Sequence, residues 1–119
     1  MYDKLSKNFA RHEFECKCGC GADHISAETV RWCQKVRDHF GAPVAINSGI
    51  RCEEWNRVQG GSPRSQHLLG TAADIAVKGV DPKEVADWLT AQGLLGGIGR
   101  YKTFTHLDTR GKKARWGRN

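Results

Sequence analysis

Long apolar runs are missing from this chain. No stretch approaches the ~20 consecutive apolar residues that a bilayer-spanning helix needs, which excludes a membrane-spanning class. Proline is scarce, with three residues in 119, and neither repeats nor low-complexity tracts nor a Pro/Ser-rich linker interrupt the chain. A single domain over residues 1–119 is expected. The opening Met1-Tyr2-Asp3-Lys4 lacks the basic segment, apolar run and small-residue cleavage site of an export signal. The expectation is synthesis in the cytoplasm, with another route out for any work beyond it. CxxC pairs are also absent. What is present, 39% apolar and 27% charged residues, describes a soluble globular protein.

The formal net charge of +6 is unevenly placed. Residues 1–99 carry 12 basic and 12 acidic side chains and sum to zero. Residues 100–119 carry Arg100, Lys102, Arg110, Lys112, Lys113, Arg115 and Arg118 against Asp108 alone. Residues 110–119 therefore read as a basic C-terminal tail. It suits docking on a polyanion, such as an anionic cell-envelope polymer, or simple solvation. Nucleic-acid binding through this tail is a third option and is not expected.

Five cysteines is an odd number, and three form Cys16-x-Cys18-x-Cys20 within an irregular N-terminal segment, residues 1–25. Alternate residues of an extended segment project to one side, so these thiols could converge on a metal, completed by Cys33, Cys52 or His24. A disulfide, or thiols left free, are the competing readings.

Phe9 and Phe14 read as anchors of the N-terminal segment. Ser26 can cap a helix with Glu28 in its first turn. Val30, Cys33, Val36 and Phe40 recur every three to four residues until Gly41 and Pro43 end the run. A strand over 44–47 and a helical turn over 53–58 follow, and Gly60-Gly61-Ser62-Pro63 then breaks the chain. A second strand is predicted over 71–77, where Ile75 and Val77 alternate with Asp74 and Ala76. Asp81 as cap, Pro82 at the first position and Glu84 reaching back start a helix that carries Val85, Trp88 and Leu89 to Gly93. Strands over 98–101 and 104–109 are joined by a tight turn at Lys102-Thr103. The pattern predicts an α+β domain with helices packed on a small, mainly antiparallel sheet. Trp32 and Trp88 read as core. Trp55 and Trp116 could line a cleft, although packing is the simpler role. His12, His24 and His39 read as surface residues.

His67, Asp74 and His106 carry the chemistry. Imidazole nitrogen and carboxylate oxygen are both good Zn²⁺ ligands, and three protein ligands leave a fourth position open to water, whose pKa falls towards ~7. His67 closes a Gly/Ser/Pro loop, and Asp74 lies seven residues later within a strand. His106 and Asp108 share one strand face. Neither histidine belongs to an apolar stripe, which argues against a purely structural core role.

The order Ser48-Gly49-Ile50-Arg51, Asn56, Gly60-Gly61, Ser65-Gln66-His67, Gly70-x-Ala72-Ala73-Asp74-Ile75, Gly97-Ile98-Gly99-x-Tyr101 and Phe104-Thr105-His106-Leu107-Asp108 adds more. It resembles the zinc D-alanyl-D-alanine carboxypeptidase and L-alanyl-D-glutamate endopeptidase family, whose fold is shared with the hedgehog signalling domain. Within that family the chain is most similar to small phage and prophage peptidases, over roughly residues 8 to 116. The resemblance implies Zn²⁺ on His67, Asp74 and His106. It implies that Arg51 stabilises the polarised carbonyl or a substrate carboxylate, and that Ser65 contacts the peptide. Asp108 could orient a histidine ligand.

One position departs from the family. Many relatives place Glu, Asp or His three residues before the last ligand as general base, where this chain has Thr103. Asp108 is then the first candidate for moving the proton, followed by Glu53 and Glu54. The expected function is a monomeric zinc peptidase that cuts peptidoglycan stem peptides in the bacterial cell wall. It would reach the wall by holin release or virion delivery, held there by its basic end. The alternative is a non-catalytic, zinc-stabilised module that binds cell wall or belongs to a phage tail.

Overall fold

A computed structural model describes residues 3–119. Met1 and Tyr2, where the reading of the N-terminus begins, lie outside the described residues. Four helices and a five-stranded mixed sheet form one α+β domain.

The N-terminal segment is largely irregular, as its sequence suggests, apart from a 3-10 turn over Arg11–Phe14 and a bridge between Lys4 and Ala10. Phe9 and Phe14 anchor it, both in the core and with ring centroids 5.8 Å apart. Helix α1 (Ala27–Phe40) begins where the Ser26 side chain accepts the Thr29 N–H and ends at Gly41 in the left-handed region. Val30, Cys33 and Val36 form its buried stripe, the 3.6-residue periodicity made physical. Strand β1 (Val44–Ser48), helix α2 (Glu53–Val58), helix α3 (Gln66–Leu69) and strand β2 (Ala72–Val77) follow. Helix α4 (Pro82–Ala91) uses Asp81 as cap, its side chain accepting from the Lys83 N–H, with Pro82 where a missing N–H costs nothing. No hydrogen bond from Glu84 back to the cap accompanies it among the described contacts. Strands β3 (Gly97–Arg100), β4 (Thr105–Asp108) and β5 (Ala114–Gly117) complete the chain.

The strand order is β1-β2-β4-β3-β5, with every pairing antiparallel except β3–β5. Helices α1 and α4 cover one face of the sheet. Ala73, Ile75 and Val77 of β2, Ile98 of β3 and Leu107 of β4 meet them in the core. Because side chains alternate along a strand, Asp74, His106 and Asp108 are committed to the opposite face.

The expected basic tail is a correction. Residues 114–117 form β5, parallel to β3, rather than a free solvated end. Arg115 caps the carbonyls of Gly96 and Leu94 at 2.6 and 2.9 Å. Arg100 pairs with Asp87 at 2.7 Å, and Arg110 pairs with Asp108. The cations left exposed in this region are Lys102, Lys112, Lys113 and Arg118. Among the described residues, no helix is long and apolar enough to cross a membrane.

Candidate active site

The site is assembled from a short helix and two paired strands. Ser65 caps α3, its hydroxyl accepting the His67 N–H at 3.2 Å, and Gly70 ends the helix in the left-handed region. This single turn delivers a buried imidazole. His67 Nδ1 lies 2.7 Å from the Gly49 carbonyl oxygen, which can only accept, so Nδ1 carries the proton and donates. Nε2 therefore presents its lone pair to Asp74 Oδ1 at 3.2 Å.

Asp74 and His106 are direct partners across the β2–β4 ladder. His106 Nδ1 stands 2.9 Å from the same Asp74 oxygen, and its Nε2 stands 2.8 Å from Asp108 Oδ2. The carboxylate of Asp108 fixes the proton on Nε2, as carboxylate–histidine pairs behind metal ligands do. With both outer N–H groups committed, Nε2 of His67, Nδ1 of His106 and Oδ1 of Asp74 face one another as three acceptors, all within 4.8 Å. Such a set repels itself unless a cation lies among them. Two imidazoles and one carboxylate fit a borderline divalent ion of the zinc type, with a coordination position left for solvent or substrate.

Without a cation among them, a proton is favoured in its place. Burial raises the Asp74 pKa, but the imidazoles of His106 and His67 against its carboxylate outweigh burial and hold it at about 2. Burial lowers His106, yet the carboxylates of Asp108 and Asp74 lift it above the ordinary imidazole value. The cluster attracts positive charge.

These atoms form the floor of an open cavity of about 670 Å³. Arg51 and Ser65 are among the residues that line it. The guanidinium of Arg51 is held by Ser48 Oγ and Asn56 Oδ1, each at 3.2 Å, and reaches Asp74 Oδ2 at 3.5 Å. Arg64 and Arg110 add further cationic lining, and Asp74 is the only carboxylate among the described lining residues.

Asp108 requires a correction. It shares a strand face with His106, as predicted, but it is fully buried behind the imidazole and does not line the cavity. Its Oδ1 accepts from the Gly97 N–H at 2.8 Å and from Arg110 Nε at 2.9 Å, while Oδ2 accepts from Arg110 Nη2 at 2.8 Å. Burial raises its pKa, but His106 and Arg110 overcome this and hold it far below the usual carboxylate range. Both oxygens are occupied, so its position suits orienting His106 rather than taking a proton from water. Glu53 and Glu54 are exposed on the first turn of α2 and do not line the cavity, and Thr103 is exposed in the β3–β4 turn.

Tyr101, Phe104 and Trp116 form an aromatic wall, of which the sequence suggests only Trp116 as a cleft residue. Trp116 donates from its indole nitrogen to the Tyr101 hydroxyl at 3.0 Å and lies 4.9 Å from the His106 ring. It comes from β5, and Gly99 makes room for it: a Cβ there would overlap the indole. Packing was the simpler expectation for Trp116, and the structure places it in the cleft instead. Trp55 packs against the core, as do Trp32 and Trp88 at its edge. The surface placing of His24 and His39 agrees with expectation, and His24 Nε2 lies 3.4 Å from the Leu68 carbonyl. Cys16, Cys18, Cys20 and Cys52 draw together, whereas Cys33 is fully buried on α1.

Against known families, residues 7–108 match the peptidase M15 profile. The chain belongs to the peptidase M15 family. The matched span contains His67, Asp74, His106, Arg51 and Ser65, together with the four clustered cysteines. It stops before β5, so Arg110 and Trp116 of this peptidase M15 cleft lie beyond the matched residues. No curated protein matches the chain.

Proposed function

We propose that this peptidase M15 member is a zinc-dependent hydrolase of peptide bonds in bacterial peptidoglycan stem peptides. The observation that carries this reading is the convergence of His67 Nε2, His106 Nδ1 and Asp74 Oδ1, with each imidazole's other nitrogen already donating elsewhere. A divalent ion held by these three atoms would supply Lewis-acid chemistry, polarising a scissile carbonyl and lowering the pKa of water. The protein's own groups do the remainder. Gly49 and Asp108 hold the imidazoles in the ligating tautomers. Arg51, braced by Ser48 and Asn56, offers a planar, permanently charged donor to a developing oxyanion or to a substrate carboxylate. Ser65 and the aromatic wall hold the peptide.

Charge supports this substrate class. A cleft with three arginines and no free carboxylate favours an anionic peptide, and stem peptides carry free carboxylates. Lys102, Lys112, Lys113 and Arg118 would hold the protein on anionic cell-envelope polymers. Action at the cell wall after holin release or virion delivery, as for a phage or prophage enzyme, belongs to the same reading.

A second reading is favoured by one observation: among the described lining residues no carboxylate other than Asp74 is available as general base. A base is worth ~10²–10⁴ in rate, so the cleft could serve as a binding module without turnover. One experiment separates the two. Purified peptidoglycan is incubated with zinc-loaded protein and with His67→Ala, and new amino termini and free D-alanine are measured. Zinc-dependent release absent from the variant is the expected result. Cosedimentation with the wall but no release would overturn hydrolysis in favour of the binding module.

A further inference from the structure

A second cluster of metal-ligating side chains lies away from the cleft and plays no part in the proposed hydrolysis. Cys16, Cys18 and Cys20 of the N-terminal segment meet Cys52, which is 32 residues beyond Cys20 in the sequence, and all four sulfurs fall within 4.8 Å of one another. Cys16 Sγ lies 3.4 Å from Cys18 Sγ, and Cys18 Sγ lies 3.6 Å from Cys52 Sγ. A disulfide needs about 2.05 Å between sulfurs, so no pair is bonded. Four sulfurs around a zinc ion, with Zn–S bonds of ~2.3 Å at tetrahedral corners, stand about 3.8 Å apart. The observed spacings approach that geometry.

Backbone N–H groups are directed at two of the sulfurs. The Cys52 N–H points to Cys16 Sγ at 3.5 Å, and the Trp55 N–H points to Cys52 Sγ at 3.4 Å, because Cys52 is the cap of α2. The chain between the thiols is bent back on itself, with Gly19 and Gly21 at φ of 86° and 89° and the Cys16 N–H bonded to the Ala22 carbonyl at 2.9 Å. A knuckle of this kind turns three closely spaced cysteines towards one point.

We propose that Cys16, Cys18, Cys20 and Cys52 form a second metal site, a structural tetrathiolate centre for zinc that clamps the N-terminal segment to the start of α2. Among the described residues the segment's regular structure is limited to one 3-10 turn and one bridge, and Phe9 and Phe14 anchor it in the core. The clamp joins the cysteine knuckle to the residue that follows Arg51, beside the existing Ile50 N–H to Phe14 carbonyl bond of 2.8 Å. The proposal does not rest on the peptidase reading, because its ligands are distinct from those of the cleft.

The test uses the full-length chain, purified under reducing conditions. Metal-free protein is titrated with cobalt(II), and the near-ultraviolet thiolate-to-cobalt charge-transfer band is followed, with zinc content measured in parallel by elemental analysis. Wild-type protein is expected to bind two zinc ions per chain and to show the thiolate band. A His67→Ala/His106→Ala variant is expected to keep one zinc and the full band. Cys18→Ser/Cys20→Ser is expected to lose the band while the cleft still binds metal. Stepwise addition of an organomercurial to zinc-loaded wild type should release one zinc as four thiols react, a result that needs no variant to fold. The proposal is overturned if cobalt-loaded wild type shows no thiolate band. It is equally overturned if the thiols react without releasing zinc, or if intact mass shows them as disulfides. Loss of hydrolysis with the thiolate band intact would sink only the peptidase reading.

Discussion

Asp108 is the residue on which the site's geometry turns, although it never reaches the cleft. It accepts from His106 on one side and from Arg110 on the other, so it fixes both the imidazole tautomer and a lining cation. Replacing such a partner of a metal-ligating histidine typically costs 10–100-fold in metal affinity or activity. In Asp108→Asn the side chain keeps its size but loses the charge that holds Arg110. The expected outcome is a zinc affinity about 10–100-fold weaker, measured by competition with a chromophoric chelator. A proton-shuttling carboxylate would instead lower turnover and leave affinity unchanged. The candidate ligands were legible in the sequence because ligand chemistry is a matter of residue type and spacing. For Asp108 the sequence leaves two roles open, orienting His106 and moving the proton, because sharing a strand face with His106 does not say which side of the ring the carboxylate occupies.

At the scale of elements, the parallel pairing of β3 with β5 builds one wall of the cleft. The register sets Gly99 opposite His106 on one side and opposite Trp116 on the other, so a glycine separates the imidazole strand from the indole strand. A Cβ at Gly99 would overlap the indole ring. Overpacking of this kind costs about 1–3 kcal/mol, and Gly99→Ala is expected to lose that much in urea unfolding. Tryptophan fluorescence should report a more exposed Trp116, whereas an unchanged spectrum and midpoint would show that the indole is not seated there. Helices α1 and α4 and strands β1 to β4 were legible to within a residue or two, since capping residues and alternating apolar positions mark them. Strand β5 was not, because four residues of Ala-Arg-Trp-Gly among lysines and arginines carry no alternation and read as a charged tail. Helix α3 escaped for a related reason. It is a single turn inside a Gly/Ser/Pro loop, and tertiary contacts rather than propensity hold it.

For the molecule as a whole, the three candidate ligands of the cleft come from α3, β2 and β4, and His67 and His106 are 39 residues apart in the chain. An unfolded chain cannot hold them together, so an ion bound here is bound by the folded state alone, and its binding free energy adds to folding. At free zinc 100 times the dissociation constant, one site contributes about 2.7 kcal/mol. For a domain of this size that raises Tm by roughly 10 °C. Removing zinc with a strong chelator is therefore expected to lower Tm by roughly that amount or more. His106→Ala, which removes one cleft ligand, should melt lower with zinc present and lose less on chelation. A variant with that substitution that still lost as much would place the stabilising ion elsewhere, at the cysteines. Identical melting of wild type with and without chelator would mean that neither constellation holds a metal in solution.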